Sequence, residues 1–505
     1  MSISKNTKIL FFIIACVHFF TVLHYSVPSF KDTEGEERLV YVITKTIAFI
    51  IIVLMYRFIP YAFMQIKEKN RVFIDCAKYT LFYFLLSASL IFITKPFPLS
   101  SFDSYFIISN VEHFGIFWRQ NFIPSLMFLV SKSIFPSYYT VSILCCLIYS
   151  LIFSYSVINA KKQYGSKHYL VLLFFLMPCI LICSLVQYNN VLFTYLLSFL
   201  LMFIFFNVKT NCSNVVKASL LGLLSAVVIL LRTENIFLLI LIPLMIFHLK
   251  IFSKKSFIIY LSSLFILFSP MYYIQKVHIN YEYVLHNLSF IYDFYKYNNI
   301  EVENNDKEAL GIVFPAIKTG YNGTLADYFM YNPELKENKN AVNILIKMAV
   351  KQAPLLIRRN NQMINKTLNG INFMPLKMSS NRMVYDNHSF SLYPVKSKII
   401  SLMAYGTQNF RLNPLYKLFY DLTLSVFLLI IFLLYGIIKR KNFFIYVSLI
   451  LSLNLISILI FMPFYMFFYL YPLLFIARLS FILLIMPVLP EFKNIKKSLH
   501  FDFIN

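Results

Sequence analysis

The sequence predicts an all-α polytopic membrane protein with 10 to 12 transmembrane helices. Three observations carry this. Hydrophobic residues make up 59% of the 505 and charged residues only 13%, against about 45–50% and 25% in soluble chains. Apolar runs of about 20 residues, the length that crosses a bilayer core, recur along the chain. Lys and Arg gather in alternate loops between those runs. No soluble core hides so much apolar surface beneath so few charges. Soluble enzymes, disordered chains and coiled coils are excluded.

The runs lie near 9–27, 40–64, 74–95, 138–159, 169–186, 190–207, 217–231, 235–250, 256–275, 418–438, 443–461 and 465–488. The pair 217–231 and 235–250 is short and joined by charged residues, so it reads as two thin spans or a re-entrant hairpin. The first run lacks a small-residue cleavage site and leads directly into another span, which makes it a retained anchor.

Orientation follows from the loops. Lys5 and Lys8, then Lys67, Lys69 and Arg71, then Lys161, Lys162 and Lys167 mark one side. Lys209 and Lys217, Lys250, Lys254 and Lys255, Lys439, Arg440 and Lys441, and Lys493, Lys496 and Lys497 continue it. The intervening loops are acidic or nearly uncharged, as in 31–38 with Asp32, Glu34, Glu36 and Glu37. The basic set is expected to be cytoplasmic, with both termini inside. The net charge of +24 is therefore largely a topology signal. Outside the spans there is no basic–aromatic groove of the kind that holds nucleic acid, which is not expected as a partner.

Three regions result. Residues 1–275 form an N-terminal transmembrane module with an outer loop at about 96–137. Residues 276–417 form a large outer domain, expected to be mainly helical, with 17 basic and 10 acidic residues. Residues 418–505 hold the C-terminal transmembrane helices and a short cytoplasmic tail. Stretch 121–135 is apolar but too short to span, and is expected along the interface. All seven cysteines fall in spans or on the basic side, so the outer domain is no disulfide scaffold. Cys179 and Cys183 share a helix face but read as packing residues rather than metal ligands. Asn287, Asn322, Asn365 and Asn387 head Asn-x-Ser/Thr triplets that chance explains in so Asn-rich a segment. The bias toward Phe, Ile, Asn, Lys and Tyr fits an AT-rich bacterial gene.

The chemistry is sought among the acids, because there are only 22. Asp103, Glu112, Glu234 and Asp421 stand in short outer loops or at outer span ends beside apolar sequence, where an unpaired carboxylate is costly. Asp103 follows the third span in Phe-Pro-Leu-Ser-Ser-Phe-Asp-Ser-Tyr, and the loop runs on through Glu112, His113, Trp118 and Arg119. A carboxylate there can take a proton from an acceptor hydroxyl if Lys95 and Arg119 keep it ionised. The same Asp also suits a helix cap. Arg232-Thr233-Glu234 sits where 217–231 meets 235–250. Arg232 there can hold a lipid-linked phosphate, with Glu234 orienting it or meeting a sugar; the alternative is an Arg–Glu pair closing a tight hairpin. Arg478 lies inside the last span and requires a partner or polar cavity. Lys45 and Arg57 are placed to snorkel to opposite faces. His113, His278, His286 and His388 lack ligand spacing, so no metal is expected. There is no phosphate-binding glycine loop, metalloprotease helix or nucleophile elbow.

Phe102-Asp103-Ser104-Tyr105, the Arg-x-Glu turn in ILLRTENIFLLILIPL at 229–244, and AVNILIKMAVKQAPLLIRRN at 341–360 occur in that order. With the inner basic loops and the large outer domain, this pattern resembles the GT-C superfamily of integral-membrane glycosyltransferases. It is most similar to the phage-type serotype-converting O-antigen glucosyltransferases. The chain differs in carrying extra spans ahead of the Asp loop and Thr233 between Arg232 and Glu234.

The resemblance implies transfer of a hexose, glucose foremost, from a polyprenyl-phosphate carrier to a cell-surface polysaccharide such as O-antigen. The reaction would occur at the periplasmic face of the bacterial inner membrane, with inversion and without cofactor or metal. Asp103 would be the general base, with Glu112 beside it as a second catalytic carboxylate. Arg232, Lys95 and Arg119 would hold the donor phosphate. Tyr105, Glu234 and His113 would contact substrate. A donor-lipid synthase and a flippase are the implied protein partners. An O-antigen polymerase or ligase, and a lipid-linked-sugar flippase, are the competing functions.

Overall fold

The structure, a computed structural model, describes residues 5–25, 35–93, 122–135, 139–184, 189–232, 235–277, 339–358, 422–461 and 467–489, with parts of 291–306. A helix coincides with each apolar run read in the sequence. They are α1 (Lys5–Tyr25), α2 (Gly35–Lys67), α3 (Arg71–Ile93), α4 (Phe122–Ile134) and α5 (Tyr139–Tyr164). A 3-10 turn (Gly165–His168) leads to α6 (Tyr169–Phe175) and α7 (Pro178–Ser184), which share one run. Next come α8 (Asn189–Phe206), α9 (Val215–Leu231), α10 (Leu238–His248) and α11 (Lys254–Val277). Beyond these lie α12 (Lys339–Lys351), α13 (Leu422–Ile438), α14 (Asn442–Phe461) and α15 (Phe467–Ile485).

Six described helical segments are long and apolar enough to cross a membrane, and six further apolar helices are shorter. No strand occurs among the described residues; an isolated bridge pairs Cys212 with Phe252. The outward faces are apolar: Phe63 is 70% exposed, and Ile266 and Ile438 are each 71% exposed. A water-facing surface does not carry such side chains on helix after helix. This is an all-helical protein built for a lipid environment.

Two apolar clusters organise the bundle. The larger joins α3, α5 through α11 and α13 through α15, with Val40 and Tyr41 of α2 and Phe128 and Leu129 of α4. At its centre Tyr149 stacks on Tyr195 with ring centroids 4.0 Å apart, and Phe475 of α15 lies 5.0 Å from the Tyr195 ring. The smaller joins α1, α2 and α4 through Ala15, Ala48, Ile52, Val130 and Ile134.

Helix ends at the basic side share one device. Lys69, Lys250 and Arg440 each follow a helix with φ of 52°, 51° and 52°. The next amide reaches back five residues in every case: Asn70 to Gln65, Ile251 to Ile246 and Lys441 to Gly436, at 3.0, 3.2 and 2.8 Å. These are left-handed caps of the kind usually built on glycine. The cationic side chain offsets the strain by facing the negative end of the helix dipole.

Helix α9 crosses α11 closely. Ala218, Gly222 and Ala226 repeat every four residues along α9, the small-residue pattern that lets membrane helices approach. A Cβ at Gly222 would fall on the Tyr260 carbonyl and lie 3.0 Å from Ser263 Cβ. Ser263 Oγ donates to Ser219 Oγ at 2.9 Å, and Tyr260 Oη to Ser225 Oγ at 3.2 Å. Gly222→Ala is therefore expected to destabilise the protein by about 1–3 kcal/mol through overpacking. A thermal melt in detergent should show a lower Tm; an unchanged Tm would mean that α9 and α11 can part freely.

Two expectations change here. The stretch 121–135 does not leave its apolar side for headgroups: α4 packs against α1, α2, α5 and α9, burying Phe128, Val130 and Ile134. Its apolar side meets helices, not headgroups. Lys45 does not snorkel; it is 7% exposed, donates to Ser133 Oγ at 3.1 Å and lies 5.3 Å from the Tyr41 ring centre. With His18 Nε2 bonded to the Ile134 carbonyl at 2.9 Å, it holds the C-terminal end of α4, where a cation is favoured. Arg57 stays exposed as expected.

Within 276–417 the described part is mostly α12 and its flank. Lys347 and Lys351 pair with Glu303 at 3.2 and 3.4 Å, and Lys347 also with Asp306 at 3.6 Å. The hydrogen bond from Lys347 draws the Glu303 carboxyl below its usual range. The buried face of α12 carries Leu345 and Met348, and the helix touches α14.

Candidate functional site

Lys95, Asp103, Tyr105, Glu112, His113 and Arg119 lie outside the described residues, as do Thr233, Glu234 and Asp421. Arg232 is described, and the site is built from it. Helix α9 has 17 residues and starts from an Asn214 cap whose side chain accepts from the Lys217 amide at 2.9 Å. At ~1.5 Å per residue it rises about 26 Å, short of a bilayer core of about 30 Å. Helix α10 has only 11 residues and descends to the Lys250 cap. The two make a hairpin whose arms are each shorter than that core. At its turn Arg232 is buried against the protein, at 3% exposure.

The turn is closed by backbone. Arg232 is extended, with φ of −145° and ψ of 93°, which ends α9. Its carbonyl accepts from the Asn235 amide at 2.9 Å, so 232–235 forms a hydrogen-bonded turn. The guanidinium lies 6.0 Å from the centre of the Phe193 ring on α8, at the outer limit of a cation–π contact. One helical turn before Phe193 stands Asn190, buried, whose Nδ2 has no hydrogen-bond partner among the described residues.

Behind the turn sits a second polar layer. Asn454 of α14 donates from Nδ2 to Asn235 Oδ1 at 2.9 Å, and both residues are buried. Twelve residues after Asn442, Asn454 lies well inside the apolar length of α14. Hydrogen bonds between membrane helices contribute about 0.6 kcal/mol on average and up to about 2. Asn235 Nδ2 and Asn454 Oδ1 have no further partner among the described residues. At the basic end, α10 and α14 meet again through His248 Nδ1 and Tyr446 Oη. The helices run antiparallel, tied near both ends.

No protein-family model, curated protein or solved structure matches this chain. What the site can do must be argued from its own residues.

Charge is the first argument. Among the described residues, no helix from α4 through α11 or from α13 through α15 carries Asp or Glu. Two arginines, Arg232 and Arg478, are buried among these helices or at their ends. A guanidinium suits a phosphate through its planar fork of donors. Carboxamides beside it add neutral donors and acceptors, which match hydroxyls.

Arg478 belongs to a different place. It sits on α15 at 7% exposure, within electrostatic reach of Cys179 on α7. Between α6 and α7 the helix breaks at Leu176–Met177, where Pro178 opens the next turn. Cys145, Cys146, Cys179 and Cys183 are buried free thiols, and no metal-ligating cluster occurs among the described residues.

Asn190, Asn235 and Asn454 did not stand out in the sequence. Neutral amides barely lower the hydropathy of an apolar run. The usable signal was their rarity as polar residues within spans, one turn or less from an arginine in the case of Asn235.

Proposed function

We propose that this chain is a polyprenyl-phosphate-sugar-dependent hexosyltransferase acting on a cell-surface glycan at the outer face of a bacterial inner membrane. The observation that carries the proposal is Arg232, a guanidinium buried at the turn between α9 and α10 beside Phe193. A polyprenyl carrier presents its phosphate to a membrane protein, and a guanidinium is suited to hold it. In this reading the acceptor hydroxyl gives its proton to the Asp103 carboxylate and its oxygen attacks the anomeric carbon. The bond from that carbon to the phosphate oxygen breaks, and the electron pair leaves with the lipid phosphate. Arg232 stabilises the charge that develops on it, with Lys95 and Arg119 from the outer loop. Attack opposite the leaving group inverts the anomeric centre. Glu112 supports the base, and Tyr105, His113 and Glu234 contact the sugars.

The test is the glycan composition of cells with and without the chain, read by mass spectrometry. One added hexose per repeat unit supports the proposal. A change in chain-length ladder without added hexose would point to a polymerase or ligase.

One observation favours a transporter as the second reading. Broken spans that bury a charge are a mark of such proteins, and α6–α7 with Arg478 is one. Purified protein in vesicles that moved lipid-linked sugar across the bilayer, and altered no glycan, would establish it.

A further inference from the structure

We infer that Asn454 is a positioning residue for Arg232, acting through Asn235 across more than two hundred residues of sequence. The inference deepens the proposed function and rests on Arg232 as its phosphate ligand. The chain of contacts is short. Asn454 Nδ2 holds Asn235 Oδ1 at 2.9 Å, and the Asn235 amide holds the Arg232 carbonyl at 2.9 Å. Asn235 is fully buried and Asn454 is 3% exposed, so water does not substitute for either bond.

Packing alone gives no reason for amides here. Two leucines would fill the contact between α10 and α14 without leaving Asn235 Nδ2 and Asn454 Oδ1 buried with no partner among the described residues. Polar groups kept in a membrane interior at such a cost fix a register or serve a site. The register of α10 on α14 is already tied by His248 and Tyr446 at the basic end. The Asn pair acts at the other end, where the backbone turns from α9 into α10 and the Arg232 side chain departs toward Phe193. It sets where the guanidinium stands.

The double variant Asn235→Leu/Asn454→Leu in the full-length protein tests this, because it removes both polar groups together and keeps the packing. Transfer from a polyprenyl-phosphate hexose is assayed in membranes, with Tm measured in detergent. We expect an unchanged or higher Tm, a KM for the donor within about twofold, and kcat lowered about tenfold, part of what the Arg232 guanidinium contributes to turnover. Hydrogen–deuterium exchange at the 235 amide, which does not depend on the reaction, should quicken about tenfold as the turn loosens. An unchanged kcat with unchanged exchange would overturn the inference, as would a loss confined to KM. Faster exchange in a protein whose wild type transfers no sugar would leave the tie in place and remove the hexosyltransferase reading instead.

Discussion

Replacing Asp103 by Asn is expected to lower hexose transfer about 10²- to 10⁴-fold, the usual worth of a positioned general base. The protein should still accumulate in the membrane at its normal level. This substitution separates the two roles open to Asp103. Asn caps a helix about as well as Asp does, so a residue that only caps would lose almost nothing. An amide, by contrast, cannot accept the proton of an attacking hydroxyl at neutral pH. The measurement is transfer of radiolabelled hexose in isolated membranes, normalised to protein detected by blot. Full activity in Asp103→Asn would remove the base and, with it, the proposed mechanism. Asp103→Ala supplies the complementary reading, since it removes cap and base together.

Arg232→Gln is expected to cost about 10²- to 10³-fold in turnover, comparable to removing one donor from a preorganised anion site. Gln preserves a polar head of moderate size and deletes only the charge and the fork. Arg232→Lys should fall between Gln and wild type. It keeps the charge, but a lysine ammonium cannot bond a phosphate in two places and faces an aromatic ring less well than the planar guanidinium. The environment makes the effect large: Arg232 is buried, with Phe193 on one side and apolar helices around it. In such surroundings a charge acts at far greater strength than in water. Initial rates at saturating donor, with Tm recorded alongside, check the result. A Tm that falls while normalised turnover stays constant would make Arg232 a residue of the fold alone.

The helices were legible because about 20 apolar residues in a row leave few other structures possible. Lys69, Lys250 and Arg440 were legible as loop cations, though not as helix caps, because the sequence does not disclose a left-handed φ. The short lengths of 217–231 and 235–250 were legible, and two short helices form there. Other features misled for a physical reason. An amphipathic segment such as 121–135 buries its apolar side against headgroups or against helices, and the pattern is the same for both. Lys45 reads as a residue that reaches for the surface, yet Ser133 and the end of α4 hold it inside. Of the candidate site, Arg232 was found by its charge. Asn454 was not, since its importance lies in a contact with Asn235 that no local pattern encodes.

The shortness of α10 has a consequence for the bilayer itself. Ile236, Ile240, Leu244 and Phe247 form an exposed apolar stripe on this flank. Running over 12 residues, the stripe is only about 17 Å tall, against about 30 Å for a bilayer core. In a bilayer of that thickness, lipids beside the stripe would meet a hydrophobic mismatch, which local thinning relieves. Acyl-chain length in a reconstituted bilayer thereby becomes a control on the protein, independent of any residue in it.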